Sequence, residues 1–258
     1  MAETNVAALI GSRVRKFLAE FGAVSSLLYR TLSYTGATFK NRAGLVRQMY
    51  FIGTGSLPLV LMIGFFTGMV SALQAAYLFK GLIPNTFVGS AVSRAIFVEL
   101  GPVLTAIVVA GRVGASMAAE IGTMKVTEQI DALESLGINP IRFLSAPRFL
   151  AAVLMLPILV IFADAIALVG SYVVSNFFLH LSAKVFFDSV QRLFNVKDVL
   201  LGLLKAFVFG GTTALLGVHV GFATEDGAEG VGKSTVRAFV LSSAMVLVMD
   251  FVIWTIIS

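Results

Sequence analysis

Six charged side chains lie inside long apolar stretches of this sequence, where ionised groups are rare. The acids are Glu99, Asp164 and Asp250, and the bases are Arg94, Arg112 and Lys205. An ionised carboxylate at the centre of a bilayer costs about 2.5–3.5 kcal/mol on insertion scales, so each acid needs a basic partner or contact with water. Two hypotheses follow. The charges form a polar pocket or proton relay, or they pair to join neighbouring helices.

The sequence offers no pattern of side chains that is typical of catalysis or of a metal site. It has no cysteine, and its histidines are His180 and His219, so neither a thiolate site nor a histidine-rich metal site is expected. The segment 227–234 (GAEGVGKS) fits the phosphate-binding string GxxxxGKS. That string works after a strand in an open α/β domain, whereas an apolar stretch precedes it here. We therefore expect a glycine-rich turn that leads into a helix capped by Ser234 or Thr235.

The composition predicts an all-α integral membrane protein. Hydrophobic residues make up 58% of the 258 residues and charged residues 13%, whereas soluble proteins carry about a quarter charged residues. Mean hydropathy is +0.94. Five apolar stretches are long enough to span a bilayer, and they cover residues 57–79, 88–117, 149–174, 199–223 and 236–257. The sequence lacks the short alternating strands of an outer-membrane barrel.

The first 50 residues form a basic segment ahead of a five-span domain at 51–258. This segment carries seven of the nineteen basic residues. Its apolar residues recur at helical spacing, at Val14, Phe17, Leu18, Phe21, Val24 and Leu28. We expect a helix that lies in the headgroup region, with no cleavable signal peptide. The alternative is a soluble amphipathic helix.

A short charged helix is predicted over residues 126–136, between the second and third spans. Its apolar face carries Val126, Ile130, Leu133 and Gly137. Glu128 and Asp131 lie on the other face, Gly137 ends the helix, and Pro140 prevents its continuation. A charged, capped helix between two spans suits the docking of a soluble motor protein. The alternative is an ordinary amphipathic loop.

The distribution of basic residues predicts how the chain crosses the membrane. With Arg237, at the edge of the fifth span, counted in the fourth connection, twelve of sixteen basic residues lie in the amino-terminal, second and fourth connecting segments and four in the other two. Cytoplasmic segments carry the excess of lysine and arginine, so the amino terminus and the 126–136 helix are expected in the cytoplasm. Five spans then place the carboxyl terminus outside. The net charge of +5 reflects this asymmetry, and no nucleic-acid partner is expected.

Two segments carry a resemblance to a known family. Residues 99–148 read ELGPVLTAIVVAGRVGASMAAEIGTMKVTEQIDALESLGINPIRFLSAPR, and the end of the chain reads GVGKSTVRAFVLSSAMVLVMDFV. Both resemble the MlaE family, the permeases of MCE-associated ABC transporters, and the resemblance runs from Arg47 to the carboxyl terminus. Residues 131–137 (DALESLG) are also similar to the EAA loop that contacts the ATPase in ABC importers.

The resemblance implies five spans preceded by an interfacial helix, assembled as a homodimer in the bacterial inner membrane. It implies phospholipid as cargo, exchanged with a periplasmic ring of MCE-domain proteins in support of outer-membrane lipid asymmetry. It also implies a cytoplasmic ABC ATPase that binds ATP and Mg, and it allows for a small cytoplasmic accessory subunit. The chain itself is then not an enzyme and holds no cofactor.

Functional residues carry over from the family by position. Those expected to contact lipid are Leu73, Gln74, Tyr77, Leu78, Arg94, Glu99 and Asp250. Those expected to couple to the ATPase are Glu128, Asp131, Leu133, Glu134 and Gly137. The chain departs from the pattern at Val98, where some family members carry an arginine before the acid. We expect Arg94 to replace that arginine as the partner of Glu99.

Two other classes of function stay open at this point. The first is an ion-coupled secondary transporter of a hydrophobic substrate, with Glu99, Asp164 and Asp250 as its relay, although no inverted repeat is detectable. The second is a membrane scaffold without transport of its own. Within the transporter hypothesis, the cargo could also be another lipid, such as a sterol.

Overall fold

A computed structural model describes residues 6–38, 42–80 and 84–257, and its regular elements are all helices, as the all-α prediction required. The helices are α1 (Val6–Thr38), α2 (Arg42–Phe79), α3 (Asn85–Val126), α4 (Gln129–Ser135), α5 (Ile141–Leu179), α6 (Ala183–Arg192), α7 (Val196–Phe222) and α8 (Gly227–Ile257). In α3 and α5, α-helical segments alternate with turns of wider π-helix. Lys40, one of the seven basic residues in the first 50, lies outside the described residues.

Five of these helices, α2, α3, α5, α7 and α8, are long and apolar enough to cross a membrane. The five predicted spans are therefore confirmed. The helices continue beyond the apolar stretches: α2 begins at Arg42 rather than at residue 57, and α8 begins at Gly227 rather than at residue 236. Hydropathy marks only the part of a helix that suits hydrocarbon, whereas its backbone hydrogen bonds continue into the polar headgroup region.

The phosphate-binding string lies within a helix, so the predicted glycine-rich turn is wrong. The helix α8 begins at Gly227, directly after Asp226 in the left-handed conformation. Lys233 pairs with Glu229 one turn earlier at 2.7 Å, and the Ser234 hydroxyl accepts a hydrogen bond from Thr224 at 2.8 Å. Neither Ser234 nor Thr235 is a cap. From Gly230 onward the N–H groups point along the axis to preceding carbonyls, so this segment does not form the loop that surrounds a phosphate in that motif.

Small residues let the spans approach closely. A methyl group on Gly68 of α2 would lie 1.9 Å from the carbonyl oxygen of Ala167 in α5, and the Ser171 hydroxyl donates to the Gly68 carbonyl at 3.1 Å. In α7, a methyl group on Gly210 would lie 2.5 Å from the Ala152 carbonyl oxygen. Such contacts between backbones are what small residues permit at helix interfaces in membranes. They hold α5 between α2 and α7.

Among the described side chains of α1, those of the apolar stripe are exposed up to Phe21 and packed from Val24 onward, while the predicted Phe17 lies outside the described side chains. Val14, Leu18 and Phe21 are exposed, whereas Leu27 is buried in a cluster with residues of α3, α4, α5 and α7. The predicted apolar stripe therefore divides into a packed part and a free part. A free apolar stripe flanked by charges is typical of a helix that lies along a membrane surface.

Candidate functional site

Lys205 is the centre of a charge cluster that joins three spans. Its Nζ atom lies 2.9 Å from Oε2 of Glu99 in α3 and 2.7 Å from Oδ1 of Asp250 in α8. The Lys205 side chain has no exposed surface, whereas the side chains of Glu99 and Asp250 are 39% and 20% exposed. The buried ammonium is thus neutralised from two sides, and the two carboxylates form the accessible edge. Lys205 is the basic partner that these two acids were predicted to need.

A turn of π-helix in α3 contains Glu99. It covers Ile96–Leu100 and ends immediately before Gly101 and Pro102. Proline lacks the N–H that would bond to the preceding turn, and its ring crowds a carbonyl there, so a wider turn relieves the conflict. The distortion next to Pro102 therefore takes the form of a π-turn. Such turns are frequent at functional sites because they change the direction of the side chains they carry.

The helix α7 approaches this π-turn at a glycine and then presents Lys205. A methyl group on Gly202 would lie 2.1 Å from the carbonyl oxygen of Phe97. Lys205 follows about one helical turn later, at 3.6 residues per turn, which brings its ammonium to Glu99. On its other side, the ring centroid of Trp254 in α8 lies 5.3 Å from Lys205 Nζ, within the range of a cation–π contact. Close helix packing and an aromatic ring therefore enclose the cation.

Arg94 is not the partner of Glu99, so that prediction is wrong. Its Nε atom lies 3.4 Å from Oδ2 of Asp198 at the start of α7. Arg94 and Glu99 are five positions apart, which turns their side chains away from one another on a helix. Arg112 also contacts no acid in the described residues, and instead donates to the Ser56 hydroxyl at 2.9 Å and to a carbonyl of α2.

Asp164 lies apart from the Lys205 cluster, in α5. It is 7% exposed, and its Oδ1 atom has no hydrogen-bond partner. This oxygen faces Gly101, where an added methyl group would lie 1.8 Å from it. No described hydrogen bond or ion pair joins Asp164 to Glu99 or Asp250. The three acids therefore do not form the continuous chain that a proton relay needs.

The four residues expected to contact lipid at the end of α2 are all exposed. Tyr77 and Leu78 are 79% and 68% exposed, respectively. Gln74 lines a groove of about 420 Å³ that runs along α2 and is closed on one side by Leu100. Its other lining residues are Met62, Ile63, Phe66, Thr67, Val70 and Ser71. Leu100 directly follows Glu99 in the chain, but Glu99, Lys205 and Asp250 are not among the residues that line the groove.

The predicted charged helix between the second and third spans is shorter than 126–136. It is α4, Gln129–Ser135, because Val126 still belongs to α3 and Glu128 has left-handed backbone with φ of 59°. Its end agrees with the prediction. Gly137, at φ of 74°, donates to the Glu134 carbonyl, and the next residue donates to Leu133, both at 2.9 Å. Glycine adopts this backbone without strain, which is why it ends the helix.

The charges of α4 face solvent while its apolar face is covered. Glu128, Asp131 and Glu134 are exposed, Ile130 is buried, and Leu133 is partly buried. Asp131 also accepts a hydrogen bond from Lys125 at 3.0 Å. The helix therefore exposes its acidic side chains while its apolar side is packed against neighbouring helices.

Helix α1 links the region around α4 to the last span. The Thr31 and Ser145 hydroxyls are hydrogen-bonded at 2.8 Å and are buried. In the middle of α1, Glu20 pairs with Arg237 of α8 at 2.6 Å. Helix α1 therefore contacts the apolar cluster that contains Ile130 of α4 and also the helix that carries Asp250.

One ion pair near α4 was not predicted from the sequence. Arg148 at the start of α5 lies 2.8 Å from Glu120 near the end of α3, and its side chain is 5% exposed. It also donates to the Leu144 carbonyl at 2.9 Å. The ion pair joins the two ends of the connection that contains α4. Opposite charges at the ends of two consecutive spans are the signal that could have identified it.

Comparison with known proteins places these features in a family. Residues 45–256 match the model of the family described as Permease MlaE. A probable ABC transporter permease protein of Rickettsia typhi is 38% identical, over 96% of both chains. A probable ABC transporter permease protein of Synechocystis sp. is 41% identical, over 82% of this chain and 80% of the relative. The intermembrane phospholipid transport system permease protein MlaE of Haemophilus influenzae is 33% identical, over 96% of both chains. The chain therefore belongs to the MlaE permease family and is a multi-pass membrane protein of the ABC transporter permease type.

Proposed function

We propose that this protein moves phospholipids between the bacterial inner membrane and a periplasmic MCE-domain carrier, and so supports the lipid asymmetry of the outer membrane. The observation that carries the proposal is that one turn of α3 contributes Glu99 to the charge cluster of Lys205 and Asp250 and contributes Leu100 to the apolar groove on α2. A phospholipid has acyl chains and a charged headgroup, so a site for it needs both kinds of surface next to each other. The name of the Haemophilus influenzae relative supports the same cargo.

Lipid binding divides between two parts of this site. Acyl chains contact the groove on α2 and the exposed side chains of Leu73, Tyr77 and Leu78, while Gln74 lies in the groove. The headgroup lies towards the exposed edges of Glu99 and Asp250. Arg94, which is exposed beside Asp198, contributes a positive charge at the end of the same span.

A separate ABC ATPase drives the movement by docking on α4. Its acidic surface at Glu128, Asp131 and Glu134 is free to meet a cytoplasmic partner. ATP and Mg are bound by that partner, and a small accessory subunit assists it. Motion of α4 passes through α1 and the Glu20–Arg237 pair to α8, which holds one carboxylate of the cluster. Hydrolysis in the partner thereby changes the shape of the lipid site.

Two copies of the chain form the working unit. Only 11% of the most apolar stretch of α8 is buried within one copy, compared with 56% for α7. A second copy covers part of the exposed face of α8, and lipid covers the rest. The MCE-domain ring lies on the side opposite α4, which the basic residues place in the periplasm.

The first experiment is purification in a gentle detergent, followed by mass spectrometry of the proteins and lipids that remain bound. We expect a cytoplasmic ABC ATPase, an MCE-domain protein and phospholipid. Repeated isolation of the chain alone, in preparations that preserve other membrane complexes, would instead favour an ion-coupled transporter. Recovery of the partners with a sterol would change the cargo and keep the mechanism.

The docking role of α4 is tested by replacing one exposed acid. Asp131→Ala should reduce recovery of the ATPase several-fold, because it removes a charge from the docking surface. Asp188→Ala is the matched control, since Asp188 is an exposed acid on α6, the short helix on the other side of the membrane in this proposal. Equal recovery of the ATPase with both variants would count against docking through Asp131.

A further inference from the structure

Asp164 differs from the other acids of the spans because no base neutralises it. It lies within α5, is 7% exposed, and its Oδ1 atom has no hydrogen-bond partner. Glu99 and Asp250 both lie within 2.9 Å of Lys205. The function proposed above uses those two acids and gives Asp164 no role.

The neighbouring helices supply no charge to Asp164. Residues 51–76 of α2, which pack along this part of α5, contain no ionisable acid or base. On α3, Glu99 is bound to Lys205, Arg94 to Asp198, and Arg112 to groups of α2. On α7 and α8, Lys205 and Asp250 are bound to one another. An ionised Asp164 would therefore stand without compensation, with the negative charge of Glu99 nearby.

The space beside Asp164 is small and mostly apolar. The cavity between α2, α3 and α5 at this level has a volume of about 10 Å³, and Ala163 and Gly101 are among the residues that line it. Its other lining side chains are apolar except for Thr67 and Thr105. Burying an ionised carboxylate in such surroundings is costly, and a buried acid without a partner binds a proton instead.

We propose that Asp164 is held as a neutral carboxylic acid and that it positions the π-turn presenting Glu99 to Lys205. Its Oδ1 atom faces Gly101, the residue that follows this turn. Pro102 removes one backbone donor from the turn, so a carbonyl there loses its helical partner. A protonated carboxyl that faces Gly101 supplies an O–H donor on this side of the turn, whereas a carboxylate would supply only acceptors.

Infrared spectroscopy tests the protonation state without depending on transport. Purified protein in lipid nanodiscs at neutral pH should show a carboxylic acid C=O band, and Asp164→Asn and Asp164→Ala should both lose it. Asp188→Asn is the matched control, because it removes an exposed acid and should reduce only the carboxylate band. Loss of carboxylate absorption in the Asp164 variants, with no carboxylic acid band in the parent protein, would overturn the proposal.

The positioning role is tested by two substitutions that do not overfill the site. Asp164→Asn keeps a neutral side chain with a donor, whereas Asp164→Val removes the donor and has one side-chain heavy atom fewer. We expect the thermal unfolding midpoint of Asp164→Asn to stay near that of the parent protein and that of Asp164→Val to fall by several degrees. Equal midpoints for the two variants would show that Asp164 only fills space. Since neither measurement uses lipid transport, failure of the proposed function would leave this inference untouched.

Discussion

At the scale of single residues, Lys205 determines whether two acids can remain charged inside the membrane. Its ammonium is fully buried and contacts both Glu99 and Asp250. Replacing a buried ion pair by apolar residues is often neutral, but removing one partner leaves an uncompensated charge. Here the removal of one lysine would leave two carboxylates without a partner.

We therefore predict that Lys205→Met lowers the free energy of unfolding by about 3–5 kcal/mol. The triple variant with Glu99→Gln and Asp250→Asn should recover part of that loss, because no buried charge remains. Arg94→Gln is the control, since the Arg94 side chain is 68% exposed and an exposed pair contributes at most about 1 kcal/mol. The free energy of unfolding of all three variants is measured in mixed detergent micelles. Equal losses for Lys205→Met and Arg94→Gln would contradict a central role for Lys205.

The sequence predicted which side chains need a partner but not which partner each would find. Hydropathy locates Glu99, Asp164 and Asp250 within apolar stretches, and the cost of ionised groups there requires neutralisation. Partner choice depends on how helices distant in the sequence approach one another. Gly202 brings α7 to the π-turn, so Lys205 pairs with Glu99, while Arg94 pairs with Asp198. Nothing in the local spacing distinguishes these pairs from the alternatives.

At the scale of helices, glycine positions decide which spans lie in contact. Gly64 and Gly68, which form a GxxxG pattern in α2, face α5, and Gly170 of α5 faces α2 in turn. Methyl groups at Gly68 and Gly170 would lie 1.9 and 2.2 Å from carbonyl oxygens of the opposing helix. Both sides of the interface thus depend on the absence of a side chain.

We predict that Gly68→Ala destabilises the protein by about 1–3 kcal/mol, because the backbones of α2 and α5 must separate. Gly232→Ala is the matched control. Gly232 lies inside α8 with no atom within 4 Å of an added methyl group, so alanine there should be neutral or should stabilise the helix by up to about 1 kcal/mol. The unfolding midpoints of the two variants give the comparison. A tolerated Gly68→Ala would mean that α2 and α5 are not held by close packing.

Helix ends were harder to predict than helix existence. Gly137 was located correctly because its positive φ favours glycine. The start of α4 at Gln129 was missed, since Val126 continues the apolar face in the sequence but belongs to α3. Glu128 separates α3 from α4 because its backbone is in the left-handed conformation. Glutamate seldom adopts this conformation, so sequence patterns do not indicate the break.

At the scale of the whole molecule, the spans and the basic residues together predict a sidedness. The helices α4 and α6 are separated by α5 alone, so they lie on opposite sides if α5 crosses the membrane. Lysine and arginine concentrate in the segments that share a side with α1 and α4. The proposed ATPase and MCE-domain partners require this arrangement, because one partner is cytoplasmic and the other periplasmic.

The absence of cysteine from the sequence makes this sidedness directly measurable. Ser135→Cys in α4, Ala19→Cys in α1 and Gln191→Cys in α6 each introduce one thiol at an exposed position. In spheroplasts, a membrane-impermeant maleimide should label Gln191→Cys at once, and the other two only after lysis, because the positive-inside rule places α1 and α4 in the cytoplasm. The opposite labelling pattern would mean that α1 and α4 lie outside the cytoplasm, where a cytoplasmic ATPase could not dock on α4. Labelling of Ser135→Cys and Gln191→Cys from the same side would mean that α5 does not cross, which would contradict the five-span fold itself.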